Sequence, residues 1–218
     1  MARPDAAKYD PAMAFFILVT EFHSRIYGLL AFKVASEKQI ETIGKMRWFN
    51  EALERGENKD RMKQLGGFLS FSRTLLREFS ILGMAKAFEN VIVTSKELGL
   101  PEFKIWSGDK LGLPYHHEMR CVRNFANVVK HNDSRIVDDG NRACRFLIDE
   151  ADFKPGTTIA HMEFDIEKSL FQTWAFLGAL SSHLTGVPFK LPQEDEAKGL
   201  ARFKRTAPWF IDQQRHPE

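Results

Sequence analysis

The segment HHEMRCVRNFANVVKHND, residues 116–133, has a strong helical periodicity. At 100° per residue, one set of its polar side chains falls within about 100° of arc. This set, the polar ridge, consists of His116, Arg120, Arg123, Asn127, Lys130 and His131. The opposite side carries Met119, Val122, Phe125, Ala126 and Val129. Because an apolar face of this kind packs on a core, the segment predicts an amphipathic helix in a helical protein.

The flanking sequence predicts further helices. Asp10 is suited to be an N-cap, and Pro11 to be the first helical residue after it. Apolar residues then recur at helical spacing over 11–35. The patterns over 36–55 and 58–98 are also helical, with Gly66-Gly67 as a kink or break in the second. Asp165 is suited to cap a last long helix over 166–185. We therefore predict a mainly α fold, a bundle of about five helices.

Residues 134–164 have a different texture. SRIVDDGNRACRFLID, residues 134–149, places two short β-type runs around Asp139-Gly140-Asn141, which is a hairpin signal. FKPGTTIAHMEF, residues 153–164, adds a candidate third strand after a Pro-Gly turn. The prediction is one domain over 1–189 with a hairpin or three-strand insert at about 134–164. Residues 190–218 then form a C-terminal extension packed on this domain through Trp209 and Phe210.

The composition limits the classes of function. The 218 residues are 44% hydrophobic and carry a formal net charge of +2, so a large core forms and no global field points to nucleic acid or membrane. Cys121 and Cys144 are too few for a disulfide framework. The apolar run at 12–19 is too short for a bilayer, which needs about 20 apolar residues. We expect a cytoplasmic protein without a membrane segment.

The residue types of the polar ridge point to phosphate chemistry. No acidic residue lies on it to relieve the basic side chains, although a face chosen for stability would mix signs. Arginine matches phosphate with a fixed fork, and histidine exchanges a proton near neutral pH. In RNA the 2′-hydroxyl is a built-in nucleophile, so a base such as His131 and an arginine suffice for cleavage without a metal.

An all-helical domain with Arg123, Asn124 and His131 in this order on one helix resembles the HEPN superfamily. The family's pattern is an arginine, four to six residues, then a histidine, whereas seven residues separate Arg123 from His131 here. The resemblance implies a metal-independent ribonuclease of toxin or phage-defence type, acting as a homodimer. The polar ridge and the resemblance together predict catalytic roles for Arg123, Asn127 and His131, and substrate binding by His116, Arg120, Asn124 and Lys130, with no metal and no cofactor.

Three other interpretations stay open. The ridge could belong to a small-molecule enzyme that acts on an anionic substrate. The ridge could instead serve a non-catalytic helical protein that binds nucleic acid or a protein partner. The acidic residues near the predicted hairpin could bind a divalent cation, although aspartate is also common in ordinary turns. These residues are Asp138, Asp139, Asp149, Glu150 and Asp152.

Overall fold

The computed structural model describes residues 9–45, 51, 59–105, 111–190 and 196–206. These residues form a helical bundle, as predicted. Its helices are α1 (Pro11–Gly44), α2 (Lys59–Glu97), α3 (His116–His131), α4 (Arg142–Asp149), α5 (Ile166–Thr185) and α6 (Glu196–Thr206).

Helices α1 and α2 form a long antiparallel pair. The Asp10 carboxylate caps α1 by accepting from the Met13 amide at 3.2 Å, as the sequence predicted. The helix runs without a break into the segment predicted as a second helix, of which residues 46–50 and 52–58 lie outside the described residues. Helix α2 is likewise continuous through Gly66-Gly67.

Helix α5 is the central element of the core and contacts α1, α2, α3 and α6. Asp165 caps it by accepting from the Lys168 amide at 3.0 Å, and Gly186 ends it in the left-handed conformation at φ 75°. A Cβ at Gly178 would lie 2.0 Å from the Phe189 ring, so a glycine is required for this close approach. Thirteen of the twenty residues of α5 are buried, including every residue from 170 to 178, which fits its almost continuous apolar sequence.

Part of the C-terminal segment returns to this core. Phe203 on α6 is fully buried, and its ring centroid lies 5.2 Å from that of Tyr27 and 5.7 Å from that of Trp174. Trp209 and Phe210, which were expected to anchor the extension, lie outside the described residues.

The predicted β insert at 134–164 is wrong. The described residues include no strand there, and Arg135 pairs with Thr158 only in an isolated antiparallel bridge. The second β-type run forms α4 instead. The Asn141 side chain accepts from the Ala143 amide at 2.9 Å and so caps a helix where a hairpin turn was predicted.

The physical reason lies in the spacing of the apolar residues of α4. Ala143, Cys144, Phe146 and Leu147 are all buried, and this spacing covers one side of a helix. Gly140 takes a positive φ of 83° and turns the chain into the Asn141 cap. As a result α4 packs against α3, and its polar side faces the polar side of α3.

Helix α1 is long and apolar enough to cross a membrane by length and composition alone. About 28% of its most apolar stretch is buried inside the fold, where Leu18, Phe22 and Ile26 are completely covered. Core helices of soluble proteins and signal sequences pass the same test, so the cytoplasmic location stays a prediction.

Candidate functional site

A cleft of about 380 Å³ lies between α3 and α4. Two contacts set the helices antiparallel: Arg120 Nη2 lies 2.9 Å from Glu150 Oε2, and Asn132 Nδ2 donates to Cys144 Sγ at 3.1 Å. The cleft is lined by Ile105, Arg120, Arg123, Asn124, Asn127, Arg142, Ala143, Arg145, Phe146, Asp149 and Glu150. We call it the arginine cleft, because four arginines and two asparagines face two carboxylates there.

Arg120 is held firmly at one end of the arginine cleft. Its guanidinium pairs with the Glu150 carboxylate and lies over the Phe146 ring, with Cζ 4.3 Å from the ring centroid. Only 21% of the Arg120 side chain is exposed. This arginine is therefore positioned by α4 rather than extended into solvent.

Arg123 lies one turn further along α3 and is half-buried. Its Cζ lies 5.2 Å from the Phe88 ring centroid on α2, a cation–π contact. Burial lowers the pKa of Arg123, and the nearby Glu89 carboxylate opposes this effect. The side chain stays charged at neutral pH because arginine starts from a pKa above 12. Among the described residues its guanidinium has no hydrogen bond or ion pair.

Asn124 and Asn127 complete the α3 wall of the arginine cleft. The Asn124 side-chain amide donates to the Arg120 carbonyl at 2.9 Å. This bond does not use the Asn124 side-chain oxygen. Asn127 is exposed and makes no side-chain hydrogen bond to the described residues. Both amides can donate to or accept from a ligand in the cleft.

The α4 wall contributes residues that the sequence analysis missed. Arg142 and Arg145 are exposed on the cleft side of α4, and neither forms an ion pair with the described residues. Asp149 lines the same wall, although the sequence placed it only among the candidate cation ligands or turn residues near the predicted hairpin. Arg142, Arg145 and Asp149 lie three and four residues apart, so a helical interpretation of 142–149 places them on one face.

His116 does not lie with the other polar-ridge residues. It is buried, its Nε2 contacts the Ile105 carbonyl oxygen, and its ring centroid lies 6.2 Å from that of Phe176. Residues before α3 cover its first turn, since Ile105 packs over it. His116 therefore does not line the arginine cleft.

Lys130 and His131 are exposed at the C-terminal end of α3, beyond the lining of the arginine cleft. The Lys130 Nζ lies 4.0 Å from Glu89 Oε1 on α2, a weak contact at the surface. His131 forms no hydrogen bond, ion pair or ring contact with the described residues. It follows Asn127 by one helical turn, which places it on the same face, next to the end of the cleft.

The remaining thiol and acidic groups near the site give no second reactive centre. Burial raises the pKa of the Cys121 thiol to about 12, so the thiol is protonated at neutral pH and a poor nucleophile. His117 Nε2 lies 3.6 Å from the Cys121 Sγ. Within the described ranges no group of three or more His, Cys, Asp or Glu side chains is arranged to hold a metal ion.

The two ends of the arginine cleft differ in charge. Because α3 and α4 run in opposite directions, Arg120, Asp149 and Glu150 lie at one end. Arg142 and Asn127 lie towards the other end, which is the end nearest His131. An anion should bind best beside Arg123, Arg142 and Arg145, which form no ion pair with the described residues, and a hydrogen-bond donor beside the carboxylates.

The chain gives no match to family models, to curated proteins or to solved structures. The HEPN resemblance consequently rests on the residues of α3 and on the helical architecture alone.

Proposed function

We propose that this protein binds RNA, with the phosphodiester backbone held in the arginine cleft. The observation that carries the proposal is the convergence of Arg123, Arg142 and Arg145, without ion pairs to the described residues, on one cleft that also holds Asn124 and Asn127. Arginines that only stabilise a surface usually have acidic neighbours. Three guanidinium groups that form no hydrogen bond or ion pair with the described residues, all at one place, are expected where a ligand supplies the negative charge.

The local character of the charge matters for this proposal. The whole chain has a net charge of only +2, so non-specific attraction of a polyanion is weak. Binding has to come from the arrangement of the arginine cleft, whose helices and stacked rings fix Arg120 and Arg123 in advance. A site organised in this way loses little side-chain entropy when a phosphate binds.

A second candidate function, metal-independent cleavage of the bound RNA, is favoured by the position of His131. Its imidazole is exposed one turn beyond Asn127, at the end of the cleft where Arg142 lies. A phosphodiester bound by Arg142 and Arg145 would bring the adjacent ribose towards this end. The non-catalytic alternative, binding without turnover, is favoured by the fact that His131 stands outside the lining of the cleft.

The cleavage step would proceed as in other metal-free ribonuclease chemistry. His131 would take the proton of the 2′-hydroxyl, and the 2′-oxygen would attack the adjacent phosphorus. The bond from phosphorus to the 5′-oxygen would break, and that oxygen would gain a proton from the imidazolium or from water. The products would be a 2′,3′-cyclic phosphate and a 5′-hydroxyl end, with Arg123 and Arg142 stabilising the charge on the phosphate oxygens.

Binding is tested by titrating a fluorescent single-stranded RNA with wild type and with Arg142→Gln/Arg145→Gln. We expect the double variant to bind at least about tenfold more weakly and to lose about 0.7 in salt slope per phosphate contact removed. Arg202→Gln/Arg205→Gln is the matched control, because both are exposed arginines on α6 outside the cleft. Equal affinity of the double variant and the control would contradict the proposal.

Cleavage is tested with the same RNA in EDTA, comparing wild type with His131→Gln and His183→Gln. His183 is an exposed histidine on α5, far from α3 in sequence and outside the cleft lining, so its loss should leave cleavage unchanged. Loss of cleavage in His131→Gln alone would support the catalytic function. RNA binding by all three proteins, with cleavage by none of them, would favour the non-catalytic function.

A further inference from the structure

The arginine cleft contains a carboxylate that does not suit a site for phosphate alone. Asp149 lines the cleft and is exposed, and it makes no hydrogen bond or ion pair to the described residues, including Arg145 one turn earlier. A negative charge within a phosphate site weakens binding of the phosphate. Glu150 differs, because Arg120 neutralises it.

The position of Asp149 in α4 is also unfavourable for the helix. Asp149 is the last residue of α4, where the partial negative charge of the helix carboxyl end repels an anionic side chain, and the last turn has no basic residue. Asp149 therefore stabilises neither α4 nor a bound phosphate. Its place in the cleft is best explained by a ligand that combines a phosphate with a neutral hydrogen-bond donor.

We propose that the acidic end of the arginine cleft recognises an unpaired guanine base of the RNA, with the Asp149 carboxylate accepting from its N1–H and N2–H groups. This inference rests on the proposed RNA binding. It names the base that is bound and the residue that selects it.

Guanine is favoured over the other three bases by the order of groups on its Watson–Crick edge. Two donors lie side by side on guanine, so both carboxylate oxygens of Asp149 accept one each. Adenine and cytosine place an acceptor nitrogen beside their amino donor, and that nitrogen repels a carboxylate. Uracil has one donor between two carbonyl groups. Sequence-specific proteins read unstacked RNA bases on this same edge.

The length of α4 fits one nucleotide. Asp149 lies seven positions after Arg142, which is about 10 Å along a helix. A phosphate bound at Arg142 and Arg145 can therefore place the base of the same or the next nucleotide beside Asp149. The phosphate contacts supply affinity, and the carboxylate contact supplies selectivity.

The test measures the affinity of wild type and Asp149→Asn for four short RNAs, each a uridine heptamer with a different central base: guanine, hypoxanthine, adenine or uracil. Every sugar carries a 2′-O-methyl group, so that no cleavage occurs during the measurement. Hypoxanthine lacks the N2 amino group and keeps N1–H, so it isolates one of the two contacts. Asp152→Asn is the matched control, because Asp152 is exposed, lies outside the cleft and has a φ of 57° that asparagine tolerates.

We expect wild type and Asp152→Asn to bind the guanine RNA about tenfold more tightly than the adenine RNA, with the hypoxanthine RNA between them. Asp149→Asn should lose most of this preference while binding the uridine RNA as well as wild type or better. A uniform gain for all four RNAs would overturn the inference, because Asp149 would then act only as a repelling charge. A guanine preference retained by Asp149→Asn, or no preference in wild type, would also overturn it and would leave the proposed RNA binding intact. Absence of binding to every RNA would overturn the proposed function and this inference together.

Discussion

In the proposed RNA site, Glu150 should limit binding, because its carboxylate pairs with the Arg120 guanidinium. The Arg120 Nη2 lies 2.9 Å from Glu150 Oε2 and 3.2 Å from Oε1, so both carboxylate oxygens compete with a phosphate for this arginine. The substitution Glu150→Gln removes the competing charge and keeps the shape of the side chain. We therefore expect Glu150→Gln to bind RNA more tightly than wild type.

The size of the effect follows from the geometry. A phosphate bound at the Arg120 guanidinium would lie about 5 Å from the Glu150 carboxylate, where repulsion in water is about 0.8 kcal/mol. Half of the Glu150 side chain is exposed, at 49%, so a solvent-like dielectric is appropriate. Removing this repulsion should raise the affinity about fourfold at low salt. At 0.15 M salt, where the Debye length is about 8 Å, the gain should be about twofold. With the competing charge removed, a phosphate contact at Arg120 should also steepen the salt slope by about 0.7.

The assay is a salt series of binding titrations with one single-stranded RNA. Glu163→Gln serves as the control, because Glu163 is exposed and lies outside the cleft, so the same change of net charge is made elsewhere. An affinity of Glu150→Gln equal to or below that of wild type would refute the reasoning. So would an equal gain in Glu163→Gln, since only net charge would then matter.

Three further predictions concern the scaffold. Burial alone would raise the pKa of Glu167, but hydrogen bonds from its two lysine partners lower it to about 2, so Glu167→Gln should cost about 3 kcal/mol at neutral pH. In wild type this stabilisation should fade as the pH falls from about 4.5 to about 2, and an unchanged denaturation midpoint in the variant would contradict the prediction. Burial lowers the pKa of His23, so the unfolded chain binds its proton more readily and stability should fall as the pH drops below about 6.5. The measurement is urea unfolding of wild type and His23→Leu between pH 7.5 and 5.5. If both lose the same amount of stability, His23 is not the source of the loss. The exposed Phe79, at 51%, lies in an apolar surface of α1 and α2, and we expect this surface to join two copies of the chain. Phe79→Ser should shift the mass in solution from dimer to monomer, whereas a monomeric wild type would contradict the homodimer.

The helical scaffold was predictable because its signals are local. Asp10 and Asp165 stand directly before apolar residues at helical spacing, and both cap the helices that were expected. The amphipathic pattern of 116–131 likewise identifies α3 and its buried side. Capping and periodicity act within a few residues of the chain, so one sequence contains the information.

The α4 wall was missed because its sequence carries two competing signals. Asp139-Gly140-Asn141 suits a hairpin turn, but Asn141 is equally good as a helix N-cap. Gly140 suits the turn in a hairpin and also the turn before a helix. The deciding feature is the spacing of the buried residues after Asn141, which is helical. This spacing predicts a helix, and on that helix Arg142 and Arg145 lie on one face.

The position of His116 shows the limit of a helical projection. On a wheel it lies in the middle of the polar ridge, yet in the fold it is buried under Ile105 and near Phe176. A projection assigns faces to one isolated helix, whereas burial depends on which chain segment covers it. The contact joins Ile105 and His116, which are 11 positions apart in the sequence, and no local pattern encodes it.

The central claim is that RNA binds between α3 and α4, and crosslinking tests it most directly. A single-stranded RNA containing 4-thiouridine is irradiated on the protein, and the crosslinked peptides are identified by mass spectrometry. We predict crosslinks within residues 116–131 and 142–150, which are lost in Arg142→Gln/Arg145→Gln. Crosslinks confined to other segments, such as the basic stretch at 198–205, would contradict the claim.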